Sequence, residues 1–204
     1  MTISKLIQQY QTMSILSNVF FWALMITLAA MIYFLAVSSD TQKKLKNSET
    51  VNLPHWIFDI VKSPKRTNKF VAGVMIIAII CSAGTILTQI NASQAATKIQ
   101  ARSLQTNIIE ASNYSTSKAK GVHIAKDAVK YQVLNSSFIV RPDQVTTKHQ
   151  TPKPSTPQIA VKFATINTGS KKNDQKVKKI IVHQLNADNW QDVVNSTAHV
   201  TITE

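Results

Sequence analysis

Glycine and cysteine are scarce in this sequence: four glycines and one cysteine occur among 204 residues. Loops that cradle phosphates need glycines at fixed spacings, and neither G-x-x-x-x-G-K-[ST] nor G-x-G-x-x-G is present. The nucleophile motif G-x-S-x-G is also missing. A single cysteine, Cys81, excludes a disulfide within the chain. Because it lies inside an apolar run, we expect it to act as a small apolar side chain.

Residues that bind metals or transfer protons are not grouped. The histidines share no short spacing and have no cysteine partner, which argues against a metal site. They are His55, His123, His149, His183 and His199. Acidic residues of the C-terminal half are isolated, and no pair of them suits general acid and base roles. The expectation is a protein that is not an enzyme and that needs no cofactor and no metal.

Charge is absent from two long apolar runs in the N-terminal half. The first extends over 6–39, with NVFFWALMITLAAMIYFLAV as its densest part, and the second over 70–90. As a helix the second run is about 32 Å long, which matches a hydrocarbon core of about 30 Å. We predict transmembrane helices over 13–37 and 70–90. Neither run contains an ionisable side chain of the kind that marks ion or proton pathways.

The first residues of the chain suggest a further helical segment. Apolar side chains recur there at i, i+3, i+4 and i+7: Ile3, Leu6, Ile7 and Tyr10. This spacing predicts an amphipathic segment over 1–12, which either lies in the membrane interface or forms the first turns of a longer helix. A cleaved signal peptide is an alternative for the first run. The run exceeds the usual length of a signal, and only Lys5 precedes it.

The connection over 38–69 is strongly basic. It holds seven cations against three acids. Within it, the spacing of apolar residues in NLPHWIFDIV predicts an amphipathic helix over 54–62 that lies on the membrane. The alternative is a loop whose apolar cluster folds onto the ends of the two transmembrane helices. Five residues are predicted anchors at the membrane interface: Trp56, Lys62, Lys65, Arg66 and Lys69. The cation bias predicts a multi-pass protein of the cell membrane with a cytoplasmic connection and both termini extracytoplasmic.

The polar second half should fold outside the bilayer. Ala- and Gln-rich sequence predicts a helical stalk over 91–112 that leans on a neighbour, such as a second copy, and a polar break follows at 113–121. Short β-branched runs then predict a small α+β domain over 122–204 with an antiparallel sheet. Prolines mark an extended loop over 141–158, TGSKKNDQK predicts a hairpin turn over 168–176 between two strands, and NADNWQDVV predicts a short helix.

A lysine cluster surrounds the predicted hairpin turn. Its members are Lys171, Lys172, Lys176, Lys178 and Lys179. Outside the cell such a cluster would attract an anionic wall polymer, in a salt-dependent manner, and inside it would attract nucleic acid or anionic lipid. Nucleic acid is not the expected partner, because no aromatic residues alternate with these lysines. A solvated turn without a partner is the alternative.

The arrangement of the chain resembles that of small membrane proteins encoded among Trs-type conjugation components of Gram-positive bacteria. The features in common are the apolar start FFWALMITLAAMIYFLAV, the lysine-rich connection, the second anchor and the basic outer domain. The resemblance implies an accessory subunit of a type IV secretion-like channel, whose partners are the bilayer and other membrane subunits. From a different class, the alternative is a membrane-bound sensor whose extracytoplasmic domain binds a ligand.

Overall fold

The computed structural model describes residues 1–119, 127–152 and 156–204. The chain forms two compact units. One, which we call the hairpin unit, comprises Gln8–Gln94. The other, the sheet unit, combines Met1–Ile7 with Ala95–Glu204. His123, the predicted start of the α+β domain at 122 and residues 153–155 of the predicted proline-rich loop lie outside the described residues.

Helices form most of the N-terminal half. They are α1 (Ile3–Lys46), α2 (His55–Val61) and α3 (Pro64–Ser103). With 44 and 40 residues, α1 and α3 are about 66 and 60 Å long, roughly twice the thickness of a hydrocarbon core. Both are long and apolar enough to cross a membrane by length and composition. The predicted spans 13–37 and 70–90 lie within them, and the helix predicted over 54–62 is present as α2.

The two long helices of the hairpin unit follow one antiparallel register. Three contacts define it: a Cβ at Gly84 would lie 2.9 Å from the Phe20 ring, the rings of Phe34 and Phe70 are 4.4 Å apart, and the hydroxyls of Ser38 and Thr67 are 3.0 Å apart. This register places the charge-free run of α1 beside that of α3. Both apolar runs therefore occupy the same level along the hairpin.

Seven strands lie in the described part of the sheet unit. They are β1 (Leu104–Ala111), β2 (Tyr114–Lys118), β3 (Val129–Val133), β4 (Ser136–Val140), β5 (Val145–Lys148), β6 (Gln158–Ile166) and β7 (His199–Thr203). One sheet has the order β1-β6-β7-β5 and the other has the order β2-β3-β4. The predicted antiparallel sheet is correct for four of the five strand pairs between described residues, but β5 and β7 run parallel.

Two helices, α4 (Lys171–Gln184) and α5 (Trp190–Thr197), precede the last strand. The core combines apolar side chains from both sheets and from α5: Tyr131, Val133, Phe138, Val140, Ile159, Val161, Val194, Ala198 and Val200. Helix α5 begins with a capping box, in which Asn189 accepts from the amide of Asp192 at 3.1 Å and Asp192 accepts from the amide of Asn189 at 3.2 Å. The short helix predicted in NADNWQDVV is therefore confirmed.

The predicted stalk over 91–112 is wrong in its second part. Helix α3 ends at Ser103, and β1 begins at the next residue without a glycine or proline between them. All eight residues of β1 pair with β6. Strand pairing therefore overrides the helix expectation in a stretch whose β-branched residues favour an extended chain. The sheet unit accordingly begins well before residue 122, and part of the predicted polar break forms β2.

The predicted hairpin turn over 168–176 is also wrong, because the chain there enters α4 at Lys171. Three buried side chains, Val177, Ile180 and Ile181, follow the i, i+3, i+4 spacing of one helix face. The helix ends with Asn186 at φ 50°, a left-handed residue that suits the position after a helix C-terminus. The run KVKKIIVHQL thus forms a helix, although its β-branched content predicted a strand.

The predicted proline-rich loop over 141–158 contains regular structure. A 3₁₀ helix covers Pro142–Gln144 and is followed directly by β5. Strand β5 pairs with β7, and the backbone continues this pairing through the amide of Gln150, which donates to the Glu204 carbonyl at 2.9 Å. Prolines mark where the segment bends, but they do not prevent the intervening residues from joining the sheet.

Candidate functional site

Apolar side chains of the hairpin unit are largely uncovered. Within the most apolar windows of α1 and α3, only 6% and 11% of the residues are buried. Large side chains such as Trp22, Ile26 and Ile79 are 65%, 68% and 64% exposed. A core helix of a soluble protein would bury such residues, whereas a continuous apolar surface of this extent needs lipid or another protein against it.

Helix α2 packs against both long helices at the basic end of the hairpin. Ile57 and Val61 are buried in a small cluster with Phe34. The apolar face of α2, which the sequence predicted would lie on the membrane, is therefore used inside the hairpin unit. Trp56 is the exception, since it is 61% exposed while its ring centroid lies 6.1 Å from that of Phe34. This contact places the indole at the level where the apolar runs begin.

Buried polar side chains fix the same end of the hairpin. Ser38 and Thr67 are 4% and 3% exposed, and their hydroxyls share a hydrogen bond. Gln42 donates to the Ser38 hydroxyl at 2.9 Å, and the Thr67 hydroxyl donates to the Ile60 carbonyl at 3.2 Å. Because buried hydroxyls are costly when left unpaired, this network ties α1, α2 and α3 together in one arrangement.

Two of the three acids in the connection are neutralised locally. Lys62 donates to Asp59 at 2.5 Å and holds the pKa of that carboxyl below its usual value, and His55 Nδ1 lies 3.2 Å from the other carboxylate oxygen. Asp40 pairs with Lys44 at 2.8 Å. The other five cations of 38–69, a segment described throughout, are exposed and have no carboxylate within 4.0 Å: Lys43, Lys46, Lys65, Arg66 and Lys69. Arg66 donates only to the Asp59 carbonyl, at 3.3 Å.

The predicted anion-binding lysines lie on α4 instead of a turn. Lys171, Lys172 and Lys179 are exposed, and they lie on the side of the helix opposite its buried apolar residues. Lys178 differs, since its ammonium lies 5.5 Å from the centroid of the Trp190 ring. The structure thus places Lys171, Lys172 and Lys179 on one solvent-facing surface, which we call the α4 lysine face.

Asp174 in the first turn of α4 does not neutralise the α4 lysine face. Its carboxylate accepts from the hydroxyl and the amide of Thr168 at 2.6 and 2.8 Å. The hydroxyl contact, followed by the amide contact, holds the pKa of this carboxyl below its usual value. Asp174 therefore fastens the start of α4 to the chain that follows β6.

A pocket of about 410 Å³ that is open to solvent lies on the sheet unit, and its position did not follow from the sequence. Its lining includes Arg141, Asp188 and Asn195. Gln144, which also lines it, is buried and fully engaged with the backbone around the end of α5. Neither Gln144 nor Asn195 belongs to a recognisable motif, so only the fold brings them together.

Metal-binding residues do not converge in the part of the chain that the structure describes: no group of three His, Cys, Asp or Glu side chains there could hold a metal ion. No protein-family model, no curated protein and no solved structure matches the chain. The function is therefore proposed from the sequence and from the geometry of the two units.

Proposed function

We propose that this chain is an integral membrane protein that acts as a structural or accessory subunit of a cell-envelope complex, without catalysing a reaction. The observation that supports it most strongly is the pair of aligned apolar runs, which stay uncovered in the hairpin unit. Hydrocarbon is the solvent in which such a surface is stable. The sheet unit then provides the folded surface through which other subunits would bind.

The proposed topology places the connection 38–69 in the cytoplasm and both termini outside the cell. Five exposed, unpaired cations in the connection support this orientation, because positive charge near the bilayer is retained on the cytoplasmic side. The membership of Met1–Ile7 in the same compact unit as the C-terminal residues supports two crossings, since an even number returns the chain to one side.

Cysteine labelling on intact cells tests this topology. In a Cys81→Ala background, the variants Ser48→Cys and Ser117→Cys each present one thiol at an exposed position, one in the connection and one on β2. Only the Ser117→Cys variant should react with a membrane-impermeant maleimide. Reaction of Ser48→Cys alone would invert the topology, would contradict the outward role of the sheet unit and would support a membrane-tethered nucleic-acid binder instead.

Binding to other subunits is the functional part of the proposal. The resemblance to Trs-type conjugation components makes a conjugative transfer apparatus the assembly to test first. The α4 lysine face supports an anionic partner, either another subunit or a wall polymer, because its charges have no carboxylate partner among the described residues. Lys171→Gln, Lys172→Gln and Lys179→Gln together should reduce co-purification with that partner and leave membrane retention intact. Unchanged co-purification would exclude this face as the binding surface.

A sensor is the second candidate, and the open pocket on the sheet unit is the observation in its favour. Arg141 and Asp188 bring charges of both signs to its lining, as a site for a small zwitterionic ligand would. A sensor would lose signalling when the connection 38–69 is altered, whereas a scaffold would keep its assembly. Arg141→Ala should leave complex assembly unchanged if the chain is only a scaffold.

A further inference from the structure

We propose that Lys65, Arg66 and Lys69 form a binding site for the phosphate headgroups of anionic phospholipids in the leaflet beside the connection. This inference rests on the proposed membrane insertion and adds a specific lipid class to it. The three side chains are exposed and have no carboxylate within 4.0 Å in the described chain. They lie in the first two turns of α3.

Depth separates these three cations from the others in the connection. Phe70 begins the apolar run of α3, so Lys69, Arg66 and Lys65 lie about 1.5, 6 and 7.5 Å from it along the helix axis. The headgroup layer on each side of a bilayer is about 5 to 8 Å thick. All three cations therefore fall at the depth of lipid phosphates.

Lys43 and Lys46 lie farther out. Phe34, which packs against Phe70, marks the same level on α1. From Phe34, Lys43 and Lys46 are about 14 and 18 Å away along the axis, which is beyond the headgroup layer. These two lysines have the same charge and belong to the same connection, so they provide a matched control for depth.

Two neighbouring groups favour the same surface. Trp56 is exposed and reaches the level of Phe34, where an indole prefers to lie among headgroups. Arg66 donates to the backbone carbonyl of Asp59, whose carboxylate is already paired with Lys62. Lysines and arginines in this position each strengthen the attraction to an anionic membrane by about fivefold.

The test uses the full chain, purified in neutral detergent, and native mass spectrometry with short-chain phosphatidylglycerol or phosphatidylcholine as probe. Lys65→Gln, Arg66→Gln and Lys69→Gln together should weaken phosphatidylglycerol binding at least tenfold, and Lys43→Gln with Lys46→Gln less than threefold. The conservative pair Lys65→Arg and Lys69→Arg should retain binding. Far-ultraviolet circular dichroism confirms that each variant keeps its helices.

Several results would overturn the lipid site. These are equal binding of the two lipids, an equal loss in both glutamine variants, or full competition by soluble glycerol phosphate, which would indicate a free-phosphate site. Alkaline carbonate extraction of membranes separates this failure from that of the proposed function. If the protein is released by carbonate, membrane insertion fails; if it is retained but shows no lipid preference, only the lipid site fails.

Discussion

Gln144 should stabilise the sheet unit more than any other polar side chain that the structure describes in the predicted proline-rich loop. Only 5% of its surface is exposed. Its amide nitrogen donates to the carbonyls of Asn195, Ser196 and Ala198 at 3.0, 3.2 and 2.9 Å, and its oxygen accepts from the Arg141 amide at 2.9 Å. It thereby joins the start of β5 to the end of α5 and the start of β7.

The expected cost of Gln144→Leu follows from these contacts. An amide group has two protons, so the three donated contacts amount to about two full hydrogen bonds, and the accepted bond makes three. At about 1 kcal/mol each, with little water to replace them, the loss is about 3 kcal/mol of unfolding free energy. For a unit of this size, that corresponds to a melting temperature lower by about 10 °C.

Thermal unfolding of the purified full chain, followed by near-ultraviolet circular dichroism, measures this effect. The matched control is Gln150→Leu, the same change at an exposed position in the same segment, which should lower the melting temperature by less than about 2 °C. Trypsin should also cut faster after Lys148 in the Gln144→Leu protein, because β5 would separate from β7 more often. Equal melting temperatures for both variants would refute the role of Gln144.

Two further changes test the hairpin unit and α4. Gly84→Ala should destabilise the hairpin by about 1 to 3 kcal/mol, because the new Cβ would lie 2.9 Å from the Phe20 ring. The control Gly73→Ala should be tolerated, because nothing lies within 4 Å of the added Cβ. Resistance to unfolding by sodium dodecyl sulfate compares the two variants, and equal resistance would contradict the close approach. The pKa of Asp174 is lowered in the folded protein, so its carboxylate stabilises the folded state at pH values above its usual pKa of 3.8. This contribution is lost as the pH falls through the lower folded-state pKa. Hydrogen exchange of α4 at decreasing pH should show this loss as reduced protection. The variant Asp174→Asn has no carboxylate to accept from Thr168, so it should abolish this pH-dependent loss of protection. An unchanged profile would exclude Asp174 as its source.

The helices of the hairpin unit could be predicted from sequence because their signals are local and long. A charge-free run of about twenty residues suffices to predict a long apolar helix, and the spacing of Ile57 and Val61 suffices for α2. The run NADNWQDVV predicted α5 in the same way, and the structure adds the capping box at Asn189. In each case the sequence pattern that predicts the element lies within the element itself.

The sheet unit was harder to predict because its decisive contacts are distant in sequence. Strand β1 is extended because it pairs with β6, and β5 forms because β7 lies beside it. For α4, the β-branched residues favoured a strand, while the i, i+3, i+4 spacing of its buried side chains favoured a helix, and burial decided between them. Leu6 and Ile7 show the same limit: their stripe forms the first turns of α1, one of the two possibilities that the sequence left open, but the sequence did not predict that both side chains are buried.

The burial of Leu6 and Ile7 also determines how the role of the sheet unit should be tested. These side chains are 1% and 3% exposed and belong to the same compact unit as Ala95–Glu204, and Arg102 donates a hydrogen bond to the Met1 carbonyl. Deletion of the C-terminal residues would therefore disturb the start of α1 as well, and a loss of assembly would have two explanations. Substitutions on the α4 lysine face change charge without removing buried area, so they isolate the binding surface from the fold.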